Sequence, residues 1–396
     1  MRDAALAVVL LTLAPSVLEA QDSETGARAR ALGGASTAFS DDPHCVWINP
    51  AGTAAQPGGL AISYETYPLY EERGTPITRA PARDLFNDPV FLPSFFGIVY
   101  QLGSPDQPMA LGLGLATPFH VYHPFRGPDP APGDAPSVTV DQHFTRLRLS
   151  YGIDLALKPA DAGGFLTHLS LGVGADLATA RVEFTSPPEN EVSPVEHATA
   201  ITGGVGVQLG LFDNREDFRA SLGVAYQGPA HFRFGGGFSV PGGIVPFYDW
   251  PQQVQVGLAV YLLPRLPLRF CVEFQWIDWA AAAQESRLAG VDDFRATTTV
   301  SFGAEYRIDL SPSIGLLPRV GLRVQTEPWS QDAKPELPGS GHFQLYLNTR
   351  STSFVVFSAG IGLIWGYSEG TQDSLDLAFE IGGDTPGFAL SYTFQF

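Results

Sequence analysis

The stretch that decides the fold class is Phe294-Arg-Ala-Thr-Thr-Thr-Val-Ser-Phe-Gly-Ala-Glu-Tyr-Arg-Ile308. Starting from Phe294, every second residue is apolar apart from one threonine, and the residues between them are mostly polar or charged. A period of two sends successive side chains to opposite faces of a β-strand. The stretch is therefore predicted to be one long strand with an apolar face and a polar face.

The same alternation recurs along the rest of the chain. It predicts fourteen strands, at residues 58–66, 94–103, 108–117, 142–157, 166–184, 197–211, 217–230, 251–263, 267–279, 293–308, 318–328, 353–366, 372–382 and 387–396. An even number of antiparallel strands is what closed bacterial outer-membrane barrels have.

The connections between these predicted strands alternate in length. Those after the even-numbered strands are short, whereas those after strands 1, 3, 7 and 11 run to roughly twenty residues or more, and outer-membrane barrels have short periplasmic turns and longer outer loops. The sequence therefore predicts that the C-terminus and the residues from position 21 onward both lie on the periplasmic side.

The composition fits a barrel that spans a membrane. Hydrophobic residues make up 44% of the chain and charged residues only 16%, against about 25% charged in ordinary soluble domains. Yet no internal stretch reaches the ~18 apolar residues of a transmembrane helix. A soluble β-sandwich or propeller is the alternative, but it needs shorter strands and does not explain the alternating connections. The predicted fold class is all-β, a transmembrane antiparallel β-barrel of about fourteen strands.

Charge and cysteine content exclude several other classes. The net charge of −18 argues against a nucleic-acid partner, because phosphate binding needs a basic surface. His120 and His123 resemble a metal-binding pair but lack a third ligand nearby, so neither a metal nor another cofactor is predicted. The two cysteines, Cys45 and Cys271, leave open either one disulfide or two buried thiols.

The ends of the chain carry export features. Residues 1–20 contain Arg2, an apolar run and a small residue at Ala20, which predicts a signal peptide cleaved near that residue. An uncleaved N-terminal anchor is the alternative. The last strand ends at Phe396 and is rich in aromatic residues, which fits the aromatic girdle of a barrel. It also resembles the C-terminal signal that the outer-membrane barrel assembly machinery reads.

Residues 21–57 do not alternate and are predicted to be a separate unit. They are rich in glycine and alanine and contain the turn-forming pairs Asp42-Pro43 and Asn49-Pro50. Small residues permit close packing, so this unit is expected to enter the lumen as a hatch, or plug, while residues 58–396 form the barrel.

Three motifs resemble the long-chain fatty acid transporter family of outer-membrane proteins, the FadL, OmpP1 and TodX group. They are Gly33-Gly34-Ala35-Ser36-Thr37-Ala38, Asp41-Asp42 and Trp47-Ile48-Asn49-Pro50-Ala51-Gly52. Tyr248–Gln252 and Phe274–Trp279 look like the middle region of the same family. The resemblance covers nearly the whole mature chain, and its specific part is the Asn49-Pro50-Ala51 segment.

The resemblance implies a hatch that shifts when a ligand binds, and a sideways exit through a distorted third strand. The implied hatch residues are Gly33, Gly34, Asp41, Asp42, Asn49, Pro50 and Ala51. The implied wall defect involves Gly112, Gly114 and Pro118, since glycine weakens a strand and proline removes a ladder donor. The alternative for the two glycines is that they make room for the hatch.

Lumen residues supply the candidate ligand site. Arg295, Arg319 and Arg323 lie on the neighbouring predicted strands 10 and 11 and could bind an anionic head group. Phe95 and Phe119 could line an apolar path. The alternative is that the lumen charges pair with one another or with the hatch.

These features predict passive uptake of hydrophobic or amphipathic small molecules, of the fatty acid or aromatic hydrocarbon type, by a monomer in a Gram-negative outer membrane. Its expected partners are the ligand and the membrane lipid. Two alternatives stay open. One is a secretion-system barrel that acts as a scaffold, and the other is an outer-membrane lipid-modifying enzyme, for which no nucleophile motif is evident.

Overall fold

The computed structural model describes residues 26–39, 41–56, 59–66, 94–104, 107–117, 120–126, 138–157, 165–185, 196–214, 218–234, 239–240, 243–244, 249–262, 267–285, 295–326, 344–345, 353–366, 372–382 and 387–396. The predicted signal peptide and two predicted site residues, Pro118 and Phe119, lie outside these ranges.

Fourteen antiparallel strands form one closed barrel, as predicted. The strands are β1 Leu60–Thr66, β2 Phe95–Gln101, β3 Met109–Ala116 with a continuation His120–Arg126, β4 Val138–Ala156, β5 Leu166–Thr185, β6 Glu196–Asn214, β7 Phe218–Gln227, β8 Gln253–Leu262, β9 Leu268–Ile277, β10 Thr297–Tyr306 with a continuation Ile308–Ser311, β11 Ile314–Thr326, β12 Ser353–Trp365, β13 Asp373–Gly382 and β14 Gly387–Gln395. Each strand pairs with its neighbours in the chain, and β1 pairs with β14 to close the barrel.

Short elements lie in the connections and before the first strand. They are helix α1 Ala27–Ala31, helix α2 Cys45–Ile48, the 3₁₀ helix Pro50–Ala55, helix α3 Trp279–Glu285, the paired strands Ser239–Val240 and Gly243–Ile244, and the bridge strand Gln344–Leu345. In the described part of the chain, no helix has the length and apolar character needed to span a membrane.

The alternation that predicted the strands separates the two faces of the wall. On β10, Thr299, Ser301 and Glu305 are buried, whereas Phe302 and Tyr306 are exposed. The polar face therefore points into the lumen and the apolar face points outward. This arrangement would be unfavourable in water, but it is the one that a bilayer favours.

The start of β11 differs from the predicted one, near a proline. Strand β11 begins at Ile314 rather than at residue 318, so Pro318 lies inside it, opposite Ile361 of β12. On its other side, the pairing of β11 with β10 is interrupted around Arg307, between the two parts of β10. Pro318 is therefore tolerated, because the missing N–H falls where the ladder is already broken.

Residues 26–39 and 41–56, which we call the N-terminal segment, lie inside the barrel. Helix α1 contacts β11, β12, β13 and β14 on one side of the lumen, whereas the 3₁₀ helix contacts β3, β4, β5 and β6 on the opposite side. Small wall residues permit this packing. A Cβ atom at Gly172 of β5 would collide with the backbone of Pro50 and Ala51.

Candidate functional site

We call the end of the barrel at which the strands are joined through 102–108, 157–165, 215–217, 263–267, 312–313 and 366–372 the turn end, and the opposite end the loop end. The N-terminal segment lies between these ends. Its contacts with the inward side chains of the strands define the candidate site.

Glu305 of β10 is the centre of the contacts near the turn end, which we call the Glu305 cluster. It accepts a hydrogen bond from Arg319 Nε at 2.6 Å, lies 3.3 Å from Arg28 Nε of the N-terminal segment, and lies 3.3 Å from Arg269 Nη1. Arg28 also binds Asp41 at 2.6 Å. Burial lowers the pKa of Arg28, but the carboxylates of Asp41 and Glu305 outweigh it and raise the pKa well above its usual value. Arg28 therefore stays charged and ties the segment to the wall.

A second ionic contact holds the start of the segment. Arg30 of α1 binds Glu380 of β13 at 3.2 Å, and Arg323 of β11 lies 3.7 Å from the same carboxylate. The backbone N–H of Gly26 donates to Glu65 of β1 at 2.6 Å. These contacts join the start of the segment to two strands, β1 and β13.

The three arginines predicted as one ligand site are not brought together. Arg319 and Arg323 are buried in the ion pairs just described, whereas Arg295 is exposed and precedes β10. Arg295 comes six residues before Ser301, which is paired with Arg323, so it lies roughly 20 Å away along the strand. The predicted strand 10 begins at residue 293, whereas β10 begins at Thr297. This is why Arg295 was grouped with Arg319 and Arg323.

The middle of the segment is held by uncharged donors and by one carboxylate. Glu273 of β9 accepts hydrogen bonds from the backbone N–H groups of Ser36 and Thr37, both at 2.8 Å. Gln208 and Ser221 donate to the carbonyl of Ala38 at 2.6 and 2.7 Å. The polar face of the barrel thus satisfies backbone groups that would otherwise be buried without partners.

The predicted hatch glycines form the turn that precedes these contacts. Gly33 and Gly34 have φ angles of 67° and 94°, a region that strongly favours glycine. A Cβ atom at Gly33 would lie 2.9 Å from the backbone of Leu322 in β11. The turn therefore requires glycine at position 33 for both conformation and space.

Asn49 shapes the turn that leads into the 3₁₀ helix. Its Oδ1 accepts from the backbone N–H of Ala51 at 3.1 Å, and its Nδ2 donates to the carbonyls of Thr37 at 2.9 Å and Val207 at 3.2 Å. Pro50 occupies the first helical position, which suits its fixed φ. The Asn49-Pro50-Ala51 motif thus connects two parts of the segment and anchors them to β6.

His44 is a buried cation between two carboxylates. Its Nδ1 lies 3.1 Å from Asp42 and its Nε2 lies 3.4 Å from Glu65, and the ring stacks on Phe95 with 4.4 Å between centroids. Burial lowers the pKa of His44, but Asp42 and Glu65 outweigh it and raise the pKa to about 10. Burial raises the pKa of Asp42, but His44 and Arg28 outweigh it and lower the pKa to about 2.

Substitution of His44 is expected to lower the thermal stability of the protein by an amount that depends on pH. In the folded protein the pKa of His44 is raised from 6.5 to about 10, so its stabilisation is complete below about pH 6.5 and is lost as pH rises through about 10. His44→Gln should therefore lower Tm by a few degrees at neutral pH. The difference from the unmodified protein should shrink above pH 10. Thermal unfolding in detergent across this range measures both effects.

The control for this experiment is His231→Gln. His231 pairs with Asp249 at 3.1 Å, but its side chain is 56% exposed, and such a pair contributes little to stability. A Tm difference for His44→Gln that stays constant through pH 11 would contradict the charged state assigned to His44.

Aromatic side chains meet above the segment, towards the loop end. Trp47 of α2 contacts Trp250 with 5.8 Å between centroids, and Phe144 of β4 contacts Trp250 at 5.7 Å and Phe232 at 5.6 Å. An isolated bridge between Ala230 and Trp250 folds the connection after β7 into this position. We call these four residues the aromatic cluster.

Two buried arginines share one carboxylate beneath the aromatic cluster. Arg148 binds Asp176 with two hydrogen bonds, at 2.5 and 2.7 Å, and donates to the carbonyl of Trp47 at 3.0 Å. Arg146 lies 3.5 Å from Asp176, donates to Gln227, and has its guanidinium 3.6 Å from the ring centroid of Trp250. The Nε and Nη2 atoms of Arg146 are buried without a hydrogen-bond partner among the described residues. This combination suits a ligand that has an apolar body and a group that accepts hydrogen bonds.

The apolar surroundings continue from the aromatic cluster to the wall at β3. The same group of buried residues includes Phe95 of β2 and Ala116, the last residue of the first part of β3. Ala116 pairs with Arg146 of β4, and His120 pairs with His143. Three residues of β3 lie between these two pairs, but only two residues of β4 do. One extra residue on one strand is characteristic of a β-bulge. The wall is therefore irregular where the apolar surroundings reach it.

The predicted glycines of β3 lie next to the segment rather than at this irregularity. A Cβ atom at Gly112 would lie 2.5 Å from Val46, and one at Gly114 would lie 2.9 Å from the same side chain. They make room for the N-terminal segment, which was the alternative interpretation of the sequence.

The lumen also contains two buried thiols and an open cavity. Cys45 and Cys271 are both free and buried, so the possible disulfide is not formed. In the described part of the chain, no group of three or more histidine, cysteine or acidic residues could hold a metal ion. A cavity of about 450 Å³ lies at the turn end and is lined by Arg28, Phe39, Tyr261, Arg269 and Glu305, among others.

An apolar outer face, a polar lumen and fourteen closed strands define a transmembrane β-barrel. The fold is that of the FadL-type channels for hydrophobic compounds. The toluene transporter TbuX of Ralstonia pickettii superposes with a TM-score of 0.54 at 13% identity, covering 94% of this chain and 99% of its own. The toluene transporter TodX of Pseudomonas putida gives 0.54 at 14% identity, covering 95% and 99%. A FadL homologue of Pseudomonas aeruginosa gives 0.53 at 14% identity, covering 97% and 100%.

Comparison of the sequence with protein-family models and with curated proteins gives no match. The similarity to the solved structures is therefore one of fold.

Proposed function

We propose that the protein is an outer-membrane channel for the passive uptake of hydrophobic or amphipathic small molecules. The observation that carries this proposal is the continuous cluster of buried apolar side chains from the aromatic cluster to Ala116, at the irregular part of β3. The similar folds of TbuX and TodX, both described as toluene transporters, support a transport function rather than an enzymatic one.

The proposed route begins at the loop end, which we place outside the cell with both termini in the periplasm. A ligand is captured by the aromatic cluster, with Arg146 available to a polar group on it. We assign the ligand site to Arg146 and Phe95 rather than to Arg295, Arg319 and Arg323, because Arg319 and Arg323 are engaged in ion pairs with carboxylates of the wall.

The N-terminal segment is proposed to be the hatch, and the ligand is proposed to leave sideways. Straight passage along the axis would bring an apolar molecule among the paired charges around Glu305, where it would displace hydrogen bonds without replacing them. The break in β3 offers an exit into the apolar part of the membrane. A small shift of Trp47, or of the connection that carries Trp250, would open the path towards it.

Repair of the strand is expected to block this exit. Deletion of Thr117 removes the extra residue and makes the register of β3 against β4 continuous. Uptake of radiolabelled toluene or of a long-chain fatty acid by proteoliposomes should then fall on the order of tenfold, because continuous hydrogen bonding closes the wall. Initial uptake rates at matched protein density measure the effect.

The matched control is Thr117→Ala, which keeps the chain length and the backbone hydrogen bond from residue 117 to Ser94. This variant should transport like the unmodified protein. Heat-modifiable mobility in gels checks that both barrels assemble. Unchanged uptake in the deletion variant would overturn the sideways exit, and equal uptake of a polar solute of the same size would overturn the proposed selectivity.

A further inference from the structure

One edge of the Arg146 guanidinium has no partner in the described part of the chain. The Nη1 atom of Arg146 donates to Oε1 of Gln227 at 3.0 Å and lies 3.5 Å from the carboxylate of Asp176. Its Nε and Nη2 atoms are buried without a hydrogen-bond partner among the described residues. We call these two atoms the free edge. Charged donors that stay buried and unpaired are costly, so the free edge favours a ligand that accepts from both atoms.

The neighbouring arginine shows which chemical group fits this edge. Arg148, two residues further along β4, uses the same two atoms, Nε at 2.5 Å and Nη2 at 2.7 Å, to bind both oxygens of Asp176. This is the planar, bidentate contact that guanidinium groups make with carboxylates. The free edge of Arg146 therefore offers the same pair of donors to a second carboxylate.

The charge around the free edge is unbalanced by one unit. Arg146, Arg148 and Asp176 are all buried, so two guanidinium groups share one carboxylate. The other described contacts of Arg146 are with one amide and two indole rings, none of which is charged. A ligand with a single negative charge balances this set, whereas a dianion reverses the imbalance.

Gln227 of β7 holds Arg146 in position before a ligand arrives. Its Oε1 atom accepts from Arg146 and also from Nε2 of Gln253 at 2.9 Å, and its own Nε2 donates to the carbonyl of Trp47 at 3.0 Å. The side chains of Gln227 and Gln253 are buried. A guanidinium that is already fixed loses little side-chain entropy when it binds an anion, and this favours affinity.

The rings beside the free edge favour an aromatic acid over an alkyl one. The guanidinium carbon of Arg146 lies 3.6 Å from the ring centroid of Trp250, as in two stacked planes. A carboxylate bound by the free edge lies in the plane of the guanidinium, and an aromatic ring attached to that carboxylate extends the same plane. A flexible alkyl chain has no such plane and loses more conformational entropy when it is fixed in the aromatic cluster.

We propose that the free edge of Arg146 binds the carboxylate of a small aromatic acid, a benzoate with an apolar substituent that packs in the aromatic cluster. This inference rests on the transport function given under Proposed function and names the class of ligand for that site. Because the free edge is buried, the acid reaches it only when Trp47 or the connection that carries Trp250 shifts, which is the movement proposed to open the path.

The test measures binding to the complete protein in detergent by isothermal titration calorimetry, with 4-butylbenzoate as the probe. The matched compounds are 4-butylbenzamide, which is neutral, and undecanoate, which has the same charge and the same number of carbon atoms but no ring. The amide should bind about tenfold more weakly, which corresponds to the loss of one charge-assisted contact. Undecanoate should bind several-fold more weakly.

Variants of Arg146 separate the paired donors from the charge. Arg146→Gln should bind 4-butylbenzoate about tenfold more weakly, and its Tm should stay close to that of the unmodified protein, because Arg148 and Asp176 remain paired. Arg146→Lys keeps the charge without the paired donors, so most of the loss should remain. The matched control is Arg233→Gln, which removes an exposed arginine next to Phe232. It should bind 4-butylbenzoate like the unmodified protein.

Four results would overturn the proposal. They are equal affinity for the acid and the amide, equal affinity for undecanoate, full affinity in Arg146→Gln or Arg146→Lys, and an equal loss of affinity in Arg233→Gln. Uptake of toluene by proteoliposomes tests the proposed transport separately. Toluene uptake with no preference for the acid would contradict the free edge alone, whereas Arg146-dependent binding of the acid with uptake of neither compound would contradict the transport function alone.

Discussion

A variant that lacks residues 26–52 is expected to admit hydrophilic solutes that the full-length protein excludes. The segment fills the lumen from α1, beside β13, to the 3₁₀ helix, beside β4. Its removal leaves a polar interior that water can fill, as in the larger porin barrels. Conductance in planar bilayers should rise on the order of tenfold or more, and leakage of a small sugar from vesicles should rise with it.

Loss of stable assembly is the other result that this arrangement predicts for the deletion, because carboxylates of the wall depend on the segment for their partners. Without the segment, Glu273 and Glu305 lose part of their partners, and unpaired charges in a confined lumen destabilise a barrel. Loss of stable assembly would appear as loss of heat-modifiable mobility in gels. A variant that assembles normally and conducts no more than the full-length protein would show that residues 26–52 do not close the channel.

The alternation of the sequence was sufficient to predict the number and order of the strands. Lipid favours apolar residues at outward positions, so a segment such as β10 has a pattern that few other folds share. The ends of strands are less constrained, because the ladder can continue past the membrane. This is why β4 begins at Val138 rather than at residue 142 and why Arg295 was assigned to a strand that begins at Thr297.

The site could be predicted from the sequence only in part. The Asn49-Pro50-Ala51 motif identified a turn, because its local hydrogen bonds join residues two positions apart. Its contact with Val207 depends on the stagger of the whole barrel, which no local pattern encodes. The aromatic cluster was missed for the same reason. Trp250 and Phe232 belong to an irregular connection without periodicity, and only the fold brings them to Trp47 and Phe144.

The substitution Glu305→Gln is expected to weaken the attachment of the N-terminal segment more than any other single change. The Glu305 carboxylate faces Arg28, Arg269 and Arg319 within 3.3 Å. Removing the central carboxylate of a buried ionic cluster leaves its arginines only partly compensated, by Asp41 and Asp376, and breaking a buried pair typically costs about 3–5 kcal/mol. Urea unfolding in detergent, followed by the fluorescence of Trp47 and the other tryptophans, measures the loss. Conductance measured on the same sample shows whether the lumen opens.

A double-mutant cycle separates the contact between segment and wall from the contacts within the wall. If Arg28 and Glu305 interact directly, Arg28→Met/Glu305→Gln should be less destabilised than the sum of the single variants, by about 0.5–3 kcal/mol. The control is Arg307→Met, because Arg307 pairs with the exposed Asp309 at the turn end and such a pair contributes little. If the losses of stability in the two single variants simply add, Glu305 stabilises the wall and does not hold the segment through Arg28. A coupling that appears in both stability and conductance would identify Arg28 as the residue that must be released before the segment can move.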